Sequence, residues 1–370
     1  MRGITLLLVA ATLLFVCNPL FAYRNVIDLG SVGGLSSWAQ SINDNGQVVG
    51  YSTSSYNTQA SLFDQTGKPA KSLWGNDSEA YSINNSGKIV GRGIFLSAWP
   101  NPNQYDQASL FDSQNTNNNR RLGSLGGTLS AARSINNNNQ IVGWAYNASE
   151  MPRACLFDSS GNGANKDLRT FGGSYSYAFS INDSGIIVGT AYLNDSDPPY
   201  MEHACRFDAS GNGANIDLGT LGGDYSCAFS INNSNQIVGW AAGSGNSYAH
   251  ACLFDLTGNG ANLDLGTLEG RSEALFINDS GQIVGWSSDS INGKHACLFD
   301  SSGNGNNIDL NSLLAPDSGW VLFEATSINN NGWIVGNGRY NGYNRAFLLT
   351  PEPATLLLLG FGINFIAQKK

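Results

Sequence analysis

A short phrase recurs seven times along this chain: Ile-Asn, a polar pair, Gly or Asn, and an apolar run that ends in Gly. Its anchors are Ile42-Asn43, Ile83-Asn84, Ile135-Asn136, Ile181-Asn182, Ile231-Asn232, Ile277-Asn278 and Ile328-Asn329. Successive anchors lie 41 to 52 residues apart, the period of a four-stranded propeller blade and longer than most solenoid turns. A period this regular constrains the architecture more than any single residue does. Residues that recur build the fold, and function belongs where the copies differ.

The clearest unit, between residues 228 and 266, holds AFSIN, NSNQIVGWA, HACLFD and GNGANLDLG. Each contains a short run rich in Ile, Val, Phe and Leu, bounded by Asn, Gly, Asp and Ser, which is the pattern of a β-strand. No helical period is sustained through the body. After the anchor Asn and a polar pair stands Gly46, Gly87, Gly185, Gly281 or Gly332, replaced by Asn139 and Asn235 in the third and fifth copies. Gly and Asn share a tolerance for positive φ, so the exchange marks a left-handed residue closing a tight antiparallel hairpin. In Ile237-Val238 and Ala251-Cys252-Leu253-Phe254 both strand faces are apolar, so each sheet must be covered on both sides.

The chain ends select a ring over a linear stack. Asn25 to Gly30 reads as the fourth strand of a unit whose first three are missing, and residues 326–349 supply three strands without a fourth. Together they make one blade, which would shut the ring and remove open sheet edges. The expectation is an all-β, seven-bladed propeller of four-stranded blades, closed by the N-terminal strand, over residues 23–350. Six or eight blades, or a solenoid, are the alternatives.

Charged residues make up only 13% of the chain, the formal charge is −9, and no basic patch is present to neutralise phosphates, so nucleic acid is excluded as a partner. Both termini read as targeting segments. Arg2 precedes an apolar stretch over residues 4–16, and Phe21-Ala22 offers a cleavage point, giving a signal peptide over 1–22. At the other end Pro351-Glu352-Pro353 leads into LLLLGFGINFIA and a Gln368-Lys369-Lys370 end. This tail, residues 351–370, resembles the PEP-CTERM sorting signal. The resemblance implies recognition by exosortase-type sorting machinery, transient membrane association through the tail, and delivery to the cell surface or polysaccharide matrix of a Gram-negative-type bacterium. The bland alternative is a simple anchor, although about 14 apolar residues are fewer than the roughly 20 that span a bilayer comfortably.

The strings HACLFD, IDLGTLGGDYSCAFSIN and QIVGWA resemble the HAF repeat, an extracellular repeat family. The likeness runs through most of residues 25–350 and implies location and fold. It carries no activity.

Four sets of residues invite a chemical reading. His203-Ala-Cys205, His250-Ala-Cys252 and His295-Ala-Cys297 each place His and Cys on one strand face, a zinc-competent pairing. Equivalent strands of neighbouring blades stand too far apart to pool ligands, so inherited repeat chemistry is the better explanation. By the same spacing Cys155, Cys205, Cys252 and Cys297, together with Cys227, are expected as buried free thiols. A recurring loop offers Asp158, Ser160, Asn162, Asp167; Asp208, Ser210, Asn212, Asp217; Asp255, Thr257, Asn259, Asp264; and Asp300, Ser302, Asn304, Asp309. Oxygen at first, third and fifth positions before Gly mimics the start of a calcium loop, whereas Asn-Gly alone also explains a tight connection.

The fourth set is aromatic and is expected in the variable connections between second and third strands: Trp99, Tyr105, Trp144, Tyr146, Tyr192, Tyr200, Tyr340 and Tyr343. Planes beside amide side chains could stack on sugars, making an exopolysaccharide or surface protein the expected partner; packing of the long loops is the competing account. No catalytic constellation stands out. Glu150, Glu202, Asp195 and Asp197 are expected in variable connections, yet nothing sets one pair apart as a glycosidase pair. Two function classes remain: an exported, non-catalytic binding or structural scaffold, and a propeller enzyme, a polysaccharide hydrolase or lyase with an axial active site.

Overall fold

The computed structural model describes residues 25–53, 57–75, 77–96, 104–194, 201–246, 248–289 and 293–351. They form seven four-stranded antiparallel sheets. In blade 1 the strands, lettered a to d from the axis outward, are Ser36–Ile42, Val48–Thr53, Thr58–Phe63 and Lys71–Ser72. The other a strands are Ser78–Ile83, Gly126–Ile135, Ser176–Ile181, Gly222–Ile231, Ser272–Ile277 and Trp320–Ile328. Each a strand touches those of both neighbouring blades, so the seven close a ring.

Closure has the form that the chain ends imply. Asn25–Asp28 pairs antiparallel with Tyr343–Thr350, Asn25 opposite Thr350 and Asp28 opposite Phe347, and becomes strand d of blade 7. Leu29 N then donates to Ala346 O at 3.1 Å, and the Leu29 side chain is fully buried among residues of blades 7 and 1. Among the described residues no helix is long and apolar enough to cross a membrane.

Because both faces of every sheet are apolar, the cores lie between blades. Among the described residues there are seven such clusters. In one, Val90, Ala108 and Leu122 of blade 2 meet Ala132, Ile135, Ile141, Cys155 and Phe157 of blade 3. The Val, Leu, Ile and Phe side chains among them each stabilise by roughly 1.5–3 kcal/mol when fully buried. Six of the junctions are also set by a serine. Ser37, Ser78, Ser130, Ser176, Ser226 and Ser272 accept from a strand c N–H of the preceding blade at 2.8–3.1 Å.

Every a strand carries a bulge at the same place, leaving one residue unpaired: Gln40, Tyr81, Arg133, Phe179, Phe229, Leu275 or Thr326. The bulge explains the Gly that ends the apolar run. A Cβ on Gly189 would stand 1.9 Å from Tyr177 O, and equivalent glycines are as confined. No residue but Gly fits there.

Candidate functional site

The same seven hairpins build both ends of the axial channel. At the hairpin end, Asn43, Asn84, Asn136, Asn182, Asn232, Asn278 and Asn329 are 3–4% exposed. Each donates Nδ2–H to the carbonyl of the next Asn at 2.9–3.1 Å, and Asn329 returns to Asn43. The Oδ1 of each accepts turn N–H groups of its own hairpin, as Asn232 does from Ser234 N and Gln236 N. A second ring follows one residue later. Asp44, Asn85, Asn137, Asp183, Asn233, Asp279 and Asn330 each donate backbone N–H to the side-chain Oδ1 of the next, at 2.8–3.0 Å. The hollow they line is open to solvent and measures about 140 Å³. Its amides and carboxylates are spent on one another, so this end is structural.

One detail escaped the reading of Gly and Asn as equivalent turn formers. Gly46, Gly87, Gly185, Gly281 and Gly332 have φ of 75–80°, and Asn139 and Asn235 of 63° and 64°, as expected. The ring Asn also needs an acceptor for its second N–H. Gln47, Gln140, Gln236 and Gln282 supply it within their own hairpins. Blades 2 and 4 have Lys88 and Ile186 at that position, and there the acceptor comes from the next blade: Asn139 Oδ1 for Asn84 at 3.1 Å and Asn235 Oδ1 for Asn182 at 2.8 Å. In blade 7 the position holds Trp333, and a Cβ on Gly46 of blade 1 would come within 2.6 Å of its ring. The signal was legible: Asn follows the two hairpins that lack both Gln and Trp.

The opposite end carries the residues that vary. Trp38 stacks on Tyr51 at 5.2 Å. Glu79 of blade 2 accepts from Arg92 at 2.7 Å and Tyr81 OH at 2.6 Å, and Arg92 also holds Asp106 at 2.8 Å. Glu324 of blade 7 accepts from Asn337 Nδ2 at 2.9 Å and faces Lys294 at 3.3 Å. Glu273 of blade 6 accepts from Trp286 Nε1 at 3.2 Å. Burial, with Glu79 and Glu324 nearby, pushes the Tyr51 phenol up to about 12. Burial likewise raises the carboxyls of Glu273 and Glu202 above their usual range. The other side of the channel is aromatic: Arg133 lies 4.4 Å above the Tyr81 ring and 5.8 Å from Phe179, which meets Phe229 at 5.6 Å.

The expected aromatic set is divided by the structure. Trp144 and Tyr146 lie within strand b of blade 3 rather than on a connection, Tyr192 and Tyr340 end their b strands, and Tyr343 begins strand c of blade 7. Trp144 contacts Tyr146 and Tyr177, Tyr192 meets Tyr175 at 5.3 Å, and Tyr340 stacks on Trp320 at 4.8 Å. Tyr343 is 43% exposed. The periodic turn residues marked these ends well, but strand b extends past its apolar run wherever a partner strand continues. Trp99 and Tyr200 lie outside the described residues, as do the side chain of Tyr105, Asp195, Asp197, residues 1–24, which include the expected signal peptide, and residues 352–370. Pro351 is described and exposes part of its surface, whereas Glu352 and Pro353 fall beyond it. Glu150 accepts from Thr128 N and Oγ1.

The recurring loops are split in the same way. Asp158 accepts from Ser160 N, Ser160 Oγ and Asn162 N, so the first three positions form one turn around the Asp carboxylate. Asp208 with Ser210, Asp255 with Thr257 and Asn259, and Asp300 with Ser302 repeat it, and the amides of Asn212 and Asn304 bond to Ser210 and Ser302. Hydrogen bonds from Ser160 hold the Asp158 carboxyl below its usual range. The last Asp of each set belongs to strand d. Asp167 pairs across from Cys155, while Asp217, Asp264 and Asp309 take His203, His250 and His295 at 2.8, 2.9 and 2.6 Å. The His of strand c is thus the partner of the Asp of strand d. Burial opposes the Asp217 charge, yet bonds from His203 and Gly219 N keep its carboxyl depressed. Among the described residues no group of three or more His, Cys, Asp or Glu side chains is placed to hold a metal ion. Cys155, Cys205, Cys227, Cys252 and Cys297 are free and buried, their thiols pushed up by desolvation.

A family model described as "Protein of unknown function (DUF3466)" matches residues 33–125 and 174–349. No curated protein matches the chain. Among solved structures, the β-propeller domain of the Trilobed protease from Pyrococcus furiosus is similar, with a TM-score of 0.56 and 10% identity over 86% of this chain and 96% of that one. That propeller is described as having an open velcro topology. The likeness extends to the fold.

Proposed function

The chain belongs to the DUF3466 family of unknown function, and from that premise we propose that it is an exported, non-catalytic propeller that binds an exopolysaccharide of the surface or matrix. The carrying observation is the contrast between the ends of the channel. Seven hairpins repeat one hydrogen-bond ring at one end and diverge into Trp, Tyr, Arg and Glu at the other. Repeats that share a scaffold and differ only at one rim suit recognition. Export is supported by the leader over 1–22, the resemblance to HAF repeats, and the tail whose resemblance to PEP-CTERM names exosortase-type machinery as its processing partner.

An enzymatic reading draws on Glu79, Glu273 and Glu324, which hold one repeat position in the a strands of blades 2, 6 and 7, and on the raised Glu273 carboxyl. Against it, each of the three is held by an internal donor. Co-sedimentation of the purified protein with the host's own matrix polymer tests the binding reading. Retention without release of reducing ends or unsaturated sugars is expected; steady product release would replace it with the enzymatic one. Substituting Ala throughout Pro351-Glu352-Pro353 is expected to leave an unprocessed, cell-associated form on immunoblots. Unchanged delivery would remove the sorting proposal.

A further inference from the structure

We propose that the groove between blades 5 and 6 is a binding site for neutral pyranose sugars; this rests on the polymer-binding reading and gives it a place and a ligand class. The groove has a volume of about 720 Å³ and is walled by Tyr225, Trp240, Tyr248 and Trp286, with Arg271 and Glu273 at its edge. It runs on into a second hollow of about 520 Å³ that shares Tyr248, Arg271 and Trp286 and adds Glu269, Asp289 and Lys294. Both lie within the range of small-ligand sites, about 300–1,000 Å³.

The aromatic pair is peculiar to this junction. Trp240 and Trp286 occupy the residue after the strand b glycine, opposite Cys227 and Glu273 on strand a. Elsewhere that position holds Tyr51, Arg92, Trp144, Thr190 and Asn337, so no other two adjacent blades both place an aromatic ring there. Tyr248 is 64% exposed, a large aromatic surface left in water. The Arg271 guanidinium lies 5.2 Å over its ring, and Lys294 Nζ lies 4.2 Å over the ring of Trp286.

This combination suits one chemistry. A pyranose presents an apolar C–H face, which seats on an aromatic ring, and a rim of hydroxyls that donate as well as accept. The groove edge carries the Arg271 guanidinium and the Lys294 ammonium beside carboxylates, of which Glu273 already accepts from Trp286 Nε1 and Asp289 from Gly293 N, leaving their further lone pairs for a hydroxyl. The Arg271 side chain is exposed, with its guanidinium over the Tyr248 ring. A polyanion fits poorly. Glu269, Glu273 and Asp289 outnumber Arg271 and Lys294, Lys294 already faces Glu324 at 3.3 Å, and the chain carries a formal charge of −9. A purely apolar ligand would strand the charged edge from water.

Titration of the full chain with cellohexaose, mannohexaose, xylohexaose and hexagalacturonate, followed by tryptophan fluorescence and calorimetry, tests the site. At least one neutral hexasaccharide is expected to bind. Tyr248→Ala and Arg271→Ala, both at exposed side chains, should each weaken it by about fivefold or more. Val321→Ser on the exposed surface of blade 7 should leave it unchanged. Neutral-sugar binding that both groove variants retain would overturn the site while leaving the polymer-binding reading intact. Binding of hexagalacturonate alone would overturn the ligand class. Failure of every oligosaccharide and of the matrix polymer would remove both the site and the reading beneath it.

Discussion

The two ends of the channel are made by the same hairpins, yet they answer different demands. At the Asn end every blade must hand a hydrogen bond to the next, and one blade's lapse is repaired by its neighbour: where Lys88 or Ile186 replaces Gln, Asn139 or Asn235 appears one blade on. Among the described residues the other end shows no such relay, and Trp38, Glu79, Tyr177, Cys227 and Glu273 occupy one repeat position with different partners. Repetition marks what the ring requires. Divergence marks what it leaves open to selection.

The strongest way to break this contrast is to disturb a repeated position. Gly189→Ala would drive a Cβ to 1.9 Å from Tyr177 O and force strands a and b of blade 4 apart, at a cost on the order of 4 kcal/mol or more. Denaturant melts should show it; a native-like midpoint would mean that the bulge yields. Next comes Asn232→Ala, which strips acceptors from Ser234 N and Gln236 N and a donor from Asn278 O, costing about 3 kcal/mol. A variant with the same midpoint as the parent chain would show that water substitutes for the ring.

A finer probe asks whether the neighbour's repair is real. Asn235→Gly should cost about 1 kcal/mol, because Asn182 Nδ2 loses one acceptor. Ile186→Gln restores an acceptor as Gln140 does in blade 3. The double variant should recover stability relative to the sum of the singles, a coupling of about 0.5–1 kcal/mol. Strict additivity would dismiss the relay.

The smallest effect is that of acid, and its sign differs between regions. Glu202 and Glu273 have raised carboxyls, so their stabilisation is complete below the ordinary carboxylate value of about 4.3 and is lost as pH rises through their folded values. Asp158, Asp208, Asp255 and Asp217 are depressed, so theirs is present above about 3.9 and lost as pH falls through the folded values. Thermal midpoints should therefore rise as pH falls through the folded values of Glu202 and Glu273 and fall again as pH drops below about 3.9 through those of the aspartates. Glu273→Gln should flatten the first limb and spare the second; an unchanged first limb would refute the assignment.

How much of this was legible in the sequence follows from the same contrast. Blade number, hairpin turns and closure by Asn25–Asp28 were readable because period, positive φ and unfinished end strands are local or periodic facts. Free buried thiols at Cys155, Cys205, Cys252 and Cys297 followed from blade spacing. The groove proposed for sugar binding was harder to see. Trp240 and Trp286 look like core residues of apolar strands, and only their position past the bulge turns them toward a shared groove. Tyr340, by contrast, reads as a loop aromatic but stacks on Trp320. The last Asp of each loop set was separated from the others because strand d begins inside the apparent motif. Adjacency across blades is the information that a linear repeat does not display.

The most direct test of the division between a structural end and the proposed recognition end reads two properties from the same preparations. Denaturation midpoint and neutral-hexasaccharide affinity are measured for Asn232→Ala and Tyr248→Ala. The account predicts a lowered midpoint with affinity of the folded protein within about twofold for the first, and an unchanged midpoint with weakened affinity for the second. Loss of both properties in either variant, or their exchange between the two, would contradict it.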